Sequence, residues 1–479
     1  MHDGGNYNKN KMKRLLLFLI VTLMTNALFA QTENYSIVID NFQTNYNTEK
    51  YDRIFNSFSS KMKQALPLEN TKQFLMDLKN EFGKIESKEF INFQKGAYAN
   101  YKTKFERAIL SVNISLDDQN KINGLSIKPY EEVKENECKV INALSNYPTE
   151  ISNLIFSKSK DFPNNTQLSV AIIHNYETNY YGIIIENDSI KPIDNKNKIF
   201  EIGSITKVFT STVLASLVED NKIKLTDYIN SYYPFPFKDS TKITFESLAN
   251  HTSGLPRLPE NLDLTNEHNP YKNYGEKALN EYLENMLKLE SEPAKVYSYS
   301  NLGAGLLGYT LGVSQKTSFQ KLLQDRIFEK YKMTNSFTSS NNLNNSFVKG
   351  LNSNGEIVSN WDFEALFGAG GILSTTENLA KFAKAQLNPE NKELALSRKP
   401  TFSVNEKMEI GLGWHILKSE NEKKLFWHNG GTAGYSSSIA INLEDRNAVI
   451  ILSNVSAFNP KMKNIDTLCF ELIETLENK

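Results

Sequence analysis

The sequence predicts two folded units: a small α+β domain over residues 33–134, and over residues 140–479 a larger two-lobed α/β domain, an antiparallel sheet flanked by helices plus an all-helical lobe. Three observations predict this. The chain has 479 residues, more than one compact core usually serves. The first part shows helical periodicity followed by strand alternation. The second part has strand-like runs near both ends and helical patterns between them, which suits one sheet built from both ends of the chain.

The hydrophobic fraction of 40% supplies real cores, and the formal net charge of −1 comes without a basic stripe. Disorder and nucleic-acid binding are therefore not expected. The N-terminus reads as an address: Lys11, Lys13 and Arg14 precede the apolar run Leu15–Ala30. A positive start, a short apolar run and a small final residue make residues 1–30 a signal peptide, cleaved after Ala30. The run is shorter than the ~20 residues a spanning helix needs. No later segment is long and apolar enough to span, so a periplasmic or secreted protein without a stable membrane span is expected.

In the small domain, Tyr51–Leu66 and Leu68–Phe82 read as two amphipathic helices, with Ile54, Phe55, Phe58 and Met62 at helical spacing. Leu110, Val112, Ile114 and Leu116 alternate as a strand, Asp117–Asn120 supplies a turn, and Ile122–Ile127 returns. The pattern resembles a nuclear-transport-factor-like domain of unknown function, carries no catalytic motif, and suits a scaffold or docking module.

In the large domain Val140–Phe156 reads as a helix, and Leu168–Ile173 and Tyr181–Ile185 as strands. Leu279, Tyr282, Leu283, Met286 and Leu287 mark one apolar helix face in the middle. Strands return near Gly413–Leu417, Ser436–Leu443 and Asn447–Ser453, and a last helix starts near Ile465. The two cysteines, Cys138 and Cys469, form no C-x-x-C pair. They are either a disulfide or two buried thiols. The six histidines show no H-x-H or H-E-x-x-H spacing, so neither a metal nor another cofactor is expected.

Chemistry concentrates in three segments. In E-I-G-S-I-T-K-V-F-T-S, Ser204 and Lys207 share one helix face. A serine hydroxyl needs a base, and a lysine serves once burial and nearby cations keep it neutral. Gly203 lets the backbone approach a substrate, and a serine N–H at a helix N-terminus can donate to an oxyanion. Spacing alone does not single out this pair, because S-x-x-K recurs at Ser60/Lys63, Ser157/Lys160, Ser318/Lys321 and Ser346/Lys349. The glycine before it and the apolar helix behind it (Val208, Phe209, Val213, Leu214, Leu217) do.

The second segment, Y-S-Y-S-N-L-G-A-G-L-L-G, contains Tyr299 and Asn301 as Y-x-N. A phenol of lowered pKa relays a proton between nucleophile and leaving group. An asparagine amide holds a substrate carbonyl. The same spacing occurs at Tyr98, Tyr228 and Tyr271, and the small-residue helix start after Asn301 sets this copy apart. The third, W-H-N-G-G-T-A-G-Y-S-S, places His428, Asn429 and Gly430 on a strand edge. Gly430 and Gly431 leave room for a substrate against the backbone, and the Gly431 N–H completes an oxyanion hole. By itself the segment also fits a plain glycine-rich hairpin.

Ser-x-x-Lys, Tyr-x-Asn and His-x-Gly, in this order, resemble the class C β-lactamase and penicillin-binding-protein-like serine hydrolase family. L-A-N-H-T-S-G-L-P (Leu248–Pro256), G-A-G-G-I-L-S-T-T-E-N-L-A-K-F (Gly368–Phe382) and G-L-G-W (Gly411–Trp414) carry the likeness further, over most of Thr166–Asn454. The resemblance implies an enzyme that works through an acyl-serine intermediate on an ester, an amide or a β-lactam-like substrate, and the signal-like start adds export. Ser204 would be acylated and Lys207 would take its proton. Tyr299 would assist leaving-group protonation, and Asn301 would orient the substrate. Ser204 and Gly431 N–H groups would hold the oxyanion, with His428, Asn429 and Gly430 on the substrate. His251 reads as structural. One departure matters. Many β-lactamases have Lys-Thr-Gly where this chain has His428-Asn429-Gly430, and an unperturbed histidine is mostly neutral at pH 7. That favours relatives such as esterases and D-peptidases. The partner is then a small-molecule or peptide substrate, cell-wall peptide included. The other reading is a catalytically silent protein that binds penicillin or cell-wall peptide. Specificity would lie in the loops Asp263–Lys277 and Asn341–Phe367.

Overall fold

The computed structural model describes residues 35–94, 98–130, 140–265, 269–341, 343, 346–418 and 423–477. The signal-like segment and Cys138 lie outside the described residues. The chain divides into two compact units between Glu132 and Val133. No helix among the described residues is long and apolar enough to cross a membrane.

The first unit begins with a helix over residues 35–47 (α1) that the sequence patterning did not announce. Three more follow: α2 (Tyr51–Asn56), α3 (Ser60–Ala65) and α4 (Leu68–Phe82). The single helix expected over Tyr51–Leu66 is two. Ser59 leaves the helical conformation and its side chain accepts from Met62 N, so a cap restarts the helix there. An antiparallel meander then runs β1 (Ile85–Gln94), β2 (Tyr98–Phe105), β3 (Ile109–Leu116) and β4 (Ile122–Pro129). β1 and β2 are additions to the sequence reading. β3 and β4 pair as the alternation implied, and Leu110, Val112 and Ile114 enter a core with Ile39, Phe42, Tyr46 and Leu75.

The second unit opens with β5 (Ile141–Asn142) and α5 (Thr149–Ser159). The helix expected over Val140–Phe156 thus begins late. Pro148 sits at its N-cap, and a proline there both starts a helix and keeps the preceding residue extended. Then come β6 (Gln167–His174), β7 (Glu177–Glu186), β8 (Ser189–Ile193), β9 (Phe200–Glu201) and α6 (Thr206–Glu219). The helical lobe holds α7 (Phe245–Ala249), α8 (Glu276–Glu281), α9 (Asn301–Ser314) and α10 (Phe319–Leu323). The chain returns through β10 (Leu373–Ser374), α11 (Thr376–Gln386), α12 (Lys392–Ser397) and β11 (Phe402–Asn405). It ends with β12 (Met408–Ile410), β13 (His415–Lys418), β14 (Lys424–Gly431), β15 (Ser436–Asn442), β16 (Asn447–Ser453) and α13 (Lys463–Glu477).

Ten strands form one sheet in the order β11-β12-β13-β14-β15-β16-β6-β7-β8-β5. The β16–β6 seam joins its C-terminal and N-terminal halves, as the strand runs at both ends implied. Ladders are antiparallel except β5 on β8. β15, β16 and β6 are buried on both faces. One face packs on α5 and α13 through Ile155, Leu468 and Leu472. The other packs on α6, α9 and the helical lobe through Val208, Phe209, Leu302 and Leu306. The site forms where this second face meets the lobe.

Candidate active site

The turn into Ser204 is fixed by a glycine that must be a glycine. Gly203 has φ +50°, and a Cβ there would lie 2.6 Å from Gly431 N. A Cβ on Gly430 would fall 2.1 Å from Ile202 O and 2.9 Å from Ser204 N. The end of β14 therefore presses on the turn, and the N–H groups of Ser204 and Gly431 lie side by side. β13 pairs with β14 only as far as Trp427, and beyond it β14 pairs with β15 alone. The His428–Gly431 stretch is thus a strand edge on the β13 side, as expected.

Ser204 leads through a 3₁₀ turn into α6. Lys207, one turn on, is 1% exposed. Its Nζ lies 2.9 Å from Ser204 Oγ, 2.9 Å from Asn301 Oδ1 and 2.7 Å from the Ala369 carbonyl. Burial first, and the Arg257 guanidinium second, hold its pKa well below the ordinary lysine value. A neutral amine has two N–H bonds and one lone pair. The Asn301 and Ala369 oxygens can only accept, so they take the two N–H bonds. The lone pair is left for the Ser204 hydroxyl.

Tyr299 lies in the cleft with Lys207 Nζ 4.8 Å and the Arg257 guanidinium 5.5 Å from its ring centre. Its hydroxyl faces Ser204, which favours the ionised phenol. The expected lowered pKa is not what this environment gives. Burial pushes it up to about 12, against the opposing effects of Ser204 and Arg257. Tyr299 is therefore a neutral phenol at physiological pH. Asn301 opens α9, whose N-cap Ser300 accepts from Gly303 N. Its amide is oriented from both ends: Oδ1 takes Lys207, and Nδ2 donates to Tyr271 OH at 3.2 Å. Tyr271 stacks on Phe363 and meets Trp361 edge-on. The two loops expected to set specificity thus meet against Asn301.

The third motif divides between two faces, as strand alternation dictates. His428 turns toward Tyr299 and His415, with ring centres 6.3 Å and 5.0 Å away. Asn429 turns to the opposite face, where Nδ2 donates to Asp466 Oδ2 of α13 at 2.8 Å. The structure therefore does not bring the Asn429 side chain into the site. A charged His428 that holds a substrate carboxylate is not supported either. His428 is 1% exposed, and burial followed by its cationic and imidazole neighbours holds its pKa well below 6.5. Its Nδ1 faces Asn429 O at 2.6 Å. It is a neutral, interior ring.

His251, read as structural, has φ +60°. It accepts from Ser300 N at 3.2 Å and packs its ring 4.5 Å from that of Tyr299. It braces the Tyr299–Asn301 turn. Arg257, Tyr271, His415 and the Ala369 carbonyl were not foreseen. Arg257 follows the quoted L-P directly, His415 follows G-L-G-W, and Ala369 lies within G-A-G-G, but none belongs to a repeating pattern. Cys469 is a buried thiol on α13. No cluster of three or more potential metal ligands occurs among the described residues.

Residues 165–471 match the Beta-lactamase family model. Residues 40–125 match a family of unknown function, DUF3887, where a domain of unknown function was expected. Protein flp of Staphylococcus aureus (strain MRSA252) is 25% identical over 284 residues, which is 55% of this chain and 54% of that protein. A Beta-lactamase of Pseudomonas fluorescens is 28% identical over 264 residues, 52% of this chain and 69% of that protein. The chain thus spans about half the length of the staphylococcal relative. The crystal structure of a Beta-Lactamase/D-Alanine Carboxypeptidase from Pseudomonas syringae superposes with a TM-score of 0.57 at 21% identity, covering 68% of this chain and 98% of that one. That likeness is one of fold, and the two-lobed architecture agrees with it. The family match covers well over half of the chain and takes in all three motifs, so this chain belongs to the β-lactamase family.

Proposed function

We propose that this protein is an exported serine hydrolase that forms an acyl-serine intermediate on an ester, an amide or a β-lactam-like substrate. The observation that carries the reading is the placement of Lys207. Two acceptor-only oxygens take its N–H bonds, and its remaining valence faces Ser204 Oγ at 2.9 Å. Lys207 Nζ takes the Ser204 proton as Oγ attacks the carbonyl carbon. The oxyanion that forms meets the neighbouring N–H groups of Ser204 and Gly431. The neutral Tyr299 phenol donates its proton to the departing oxygen or nitrogen and recovers one from the water that cleaves the acyl-enzyme. The names of the Pseudomonas relatives support a substrate range of β-lactams and D-alanyl peptides. Export rests on the charged and apolar residues before Ala30.

The test is labelling with a fluorophosphonate and a fluorescent penicillin, alongside turnover of p-nitrophenyl esters, nitrocefin and D-alanyl peptides. We expect a Ser204-dependent adduct and Ser204-dependent turnover, both lost in Ser204→Ala. An adduct without turnover of any substrate would make the protein a penicillin binder. Labelling that survives Ser204→Ala would refute the assignment of the nucleophile.

A further inference from the structure

Two residues before Gly203, β9 buries a carboxylate that the reaction does not use. Glu201 is 3% exposed. Its Oε1 accepts from Asn360 Nδ2 at 2.8 Å and from Trp361 N at 2.9 Å. Its second oxygen is buried without a well-formed hydrogen bond among the described residues, as is the Thr432 hydroxyl, which bears on its charge. The loop residues and Thr432 belong to different halves of the site. Thr432 follows Gly431, the strand end that presses on the Ser204 turn. Trp361 and its neighbour Phe363 pack on Tyr271, whose hydroxyl holds the Asn301 amide, whose Oδ1 in turn holds Lys207.

We infer that Glu201 is a positioning residue for acyl transfer. It clasps the 360–363 loop to the oxyanion end of β14 and thereby sets the Lys207–Asn301 pair and the Gly431 N–H at one distance from Ser204. The inference rests on the hydrolase reading and deepens it. A carboxylate is the stronger acceptor for Asn360 and Trp361 N when it is ionised, and its unpartnered oxygen then draws in the Thr432 hydroxyl, so the clasp tightens on deprotonation. The groups that bear on its charge are Asp362 on the loop, which opposes ionisation, and the Tyr435 phenol, which shares Asn360 with it. Asn360, Trp361 N and Thr432 favour ionisation. Burial outweighs them and moves the carboxyl up to about 7, so that the clasp loosens and tightens in the neutral range.

The experiment compares the full chain with Glu201→Gln and Thr432→Val across pH 5.5–8.5. Ester turnover is one readout. The second is tryptophan fluorescence, which sees Trp361 whether or not the protein turns over a substrate. In the parent, kcat and fluorescence should both change through about pH 7. Glutamine keeps the shape and the acceptor but does not titrate. Its profile should lose that inflection, with kcat at high pH about ten-fold below the parent, the order of loss a small misplacement of reacting groups brings. Valine removes the hydroxyl that favours the ionised carboxylate and should move the inflection to higher pH. If Glu201→Gln keeps the parent's inflection in both readouts, or Thr432→Val leaves it in place, the inference is overturned. If turnover proves independent of Ser204, the hydrolase reading fails, while the fluorescence titration still decides whether Glu201 is the clasp.

Discussion

The two ends of the cleft treat buried polar groups in opposite ways. At the Ser204 end Lys207 Nζ has three oxygens within hydrogen-bond distance, and Asn301 is held at both ends of its amide. At the third-motif end three imidazoles crowd together, and His251 Nε2, His415 Nδ1 and His428 Nε2 are buried without a well-formed hydrogen bond among the described residues. The first arrangement fixes an amine that, in the proposed reaction, gains a proton and returns it. The second keeps rings uncharged, because burial penalises imidazolium beside Lys207 and Arg257. A family motif that elsewhere supplies a lysine has here become part of an interior wall. Chemistry and shape are thus divided between the ends.

The sharpest way to break this division is to remove the amine. Lys207→Met keeps an unbranched chain in the same space but supplies no base. We expect kcat/KM for a neutral ester to fall on the order of 10³-fold or more, to the level of Ser204→Ala. His428→Gln should cost less than about ten-fold, since that ring neither pairs with Ser204 nor carries charge. Stopped assays on both variants with one substrate decide it. Turnover retained in Lys207→Met and lost in His428→Gln would reverse the roles of the two ends.

The sequence showed the first end far better than the second. Ser204, Lys207, Tyr299 and Asn301 stood out because their order along the chain is specific even where each spacing is common. Ser318 and Lys321 show what the same spacing means elsewhere: the serine caps α10 and the lysine pairs with Asp325 on the surface. His415 and Arg257 were invisible because they act through ring and cation contacts that no linear spacing encodes. The side on which Asn429 lies is legible in the alternation itself. Period-two alternation puts His428 and Gly430 on one face and Asn429 on the other, and the motif's adjacency masked that. The helix predicted from Val140 failed for a different reason. Apolar periodicity continues through Pro148, but a proline at the N-cap does not let the helix extend upstream.

The histidine end makes its own prediction, in stability. His415 accepts from Tyr297 OH at 2.9 Å, and burial lowers its pKa from 6.5 to about 4. Its folded value lies below its unfolded one. Its contribution is therefore fully present above pH 6.5 and is lost as the pH falls toward 4, because only the unfolded chain takes up the proton in that window. His251 and His428 act in the same direction. In His415→Gln, which keeps an acceptor for Tyr297, the loss of stability between pH 7.5 and pH 4 should shrink by about 3 kcal/mol. Urea unfolding at the two pH values measures this. An unchanged loss would mean that the ring is already protonated in the folded state, and the end would no longer be uncharged.

The smallest effect tests which way β14 faces. If Asn429 belongs to the outer face, Asn429→Ala should change kcat/KM by less than about three-fold while costing stability through Asp466. Asp466 accepts the Asn429 amide at 2.8 Å, and burial raises its pKa to about 6 even with that donor in place. A folded pKa above the unfolded one means stability that is present at low pH and is lost as the pH rises through about 6. Removing the donor raises that pKa further, so the penalty must grow with pH. We expect a cost of about 1 kcal/mol or less at pH 5, where the protonated acid has little need of the amide, and about 2 kcal/mol at pH 8, where the carboxylate is left without its donor. A penalty that is flat with pH would detach Asn429 from Asp466. A large fall in kcat/KM with stability intact would return Asn429 to the substrate side of the strand.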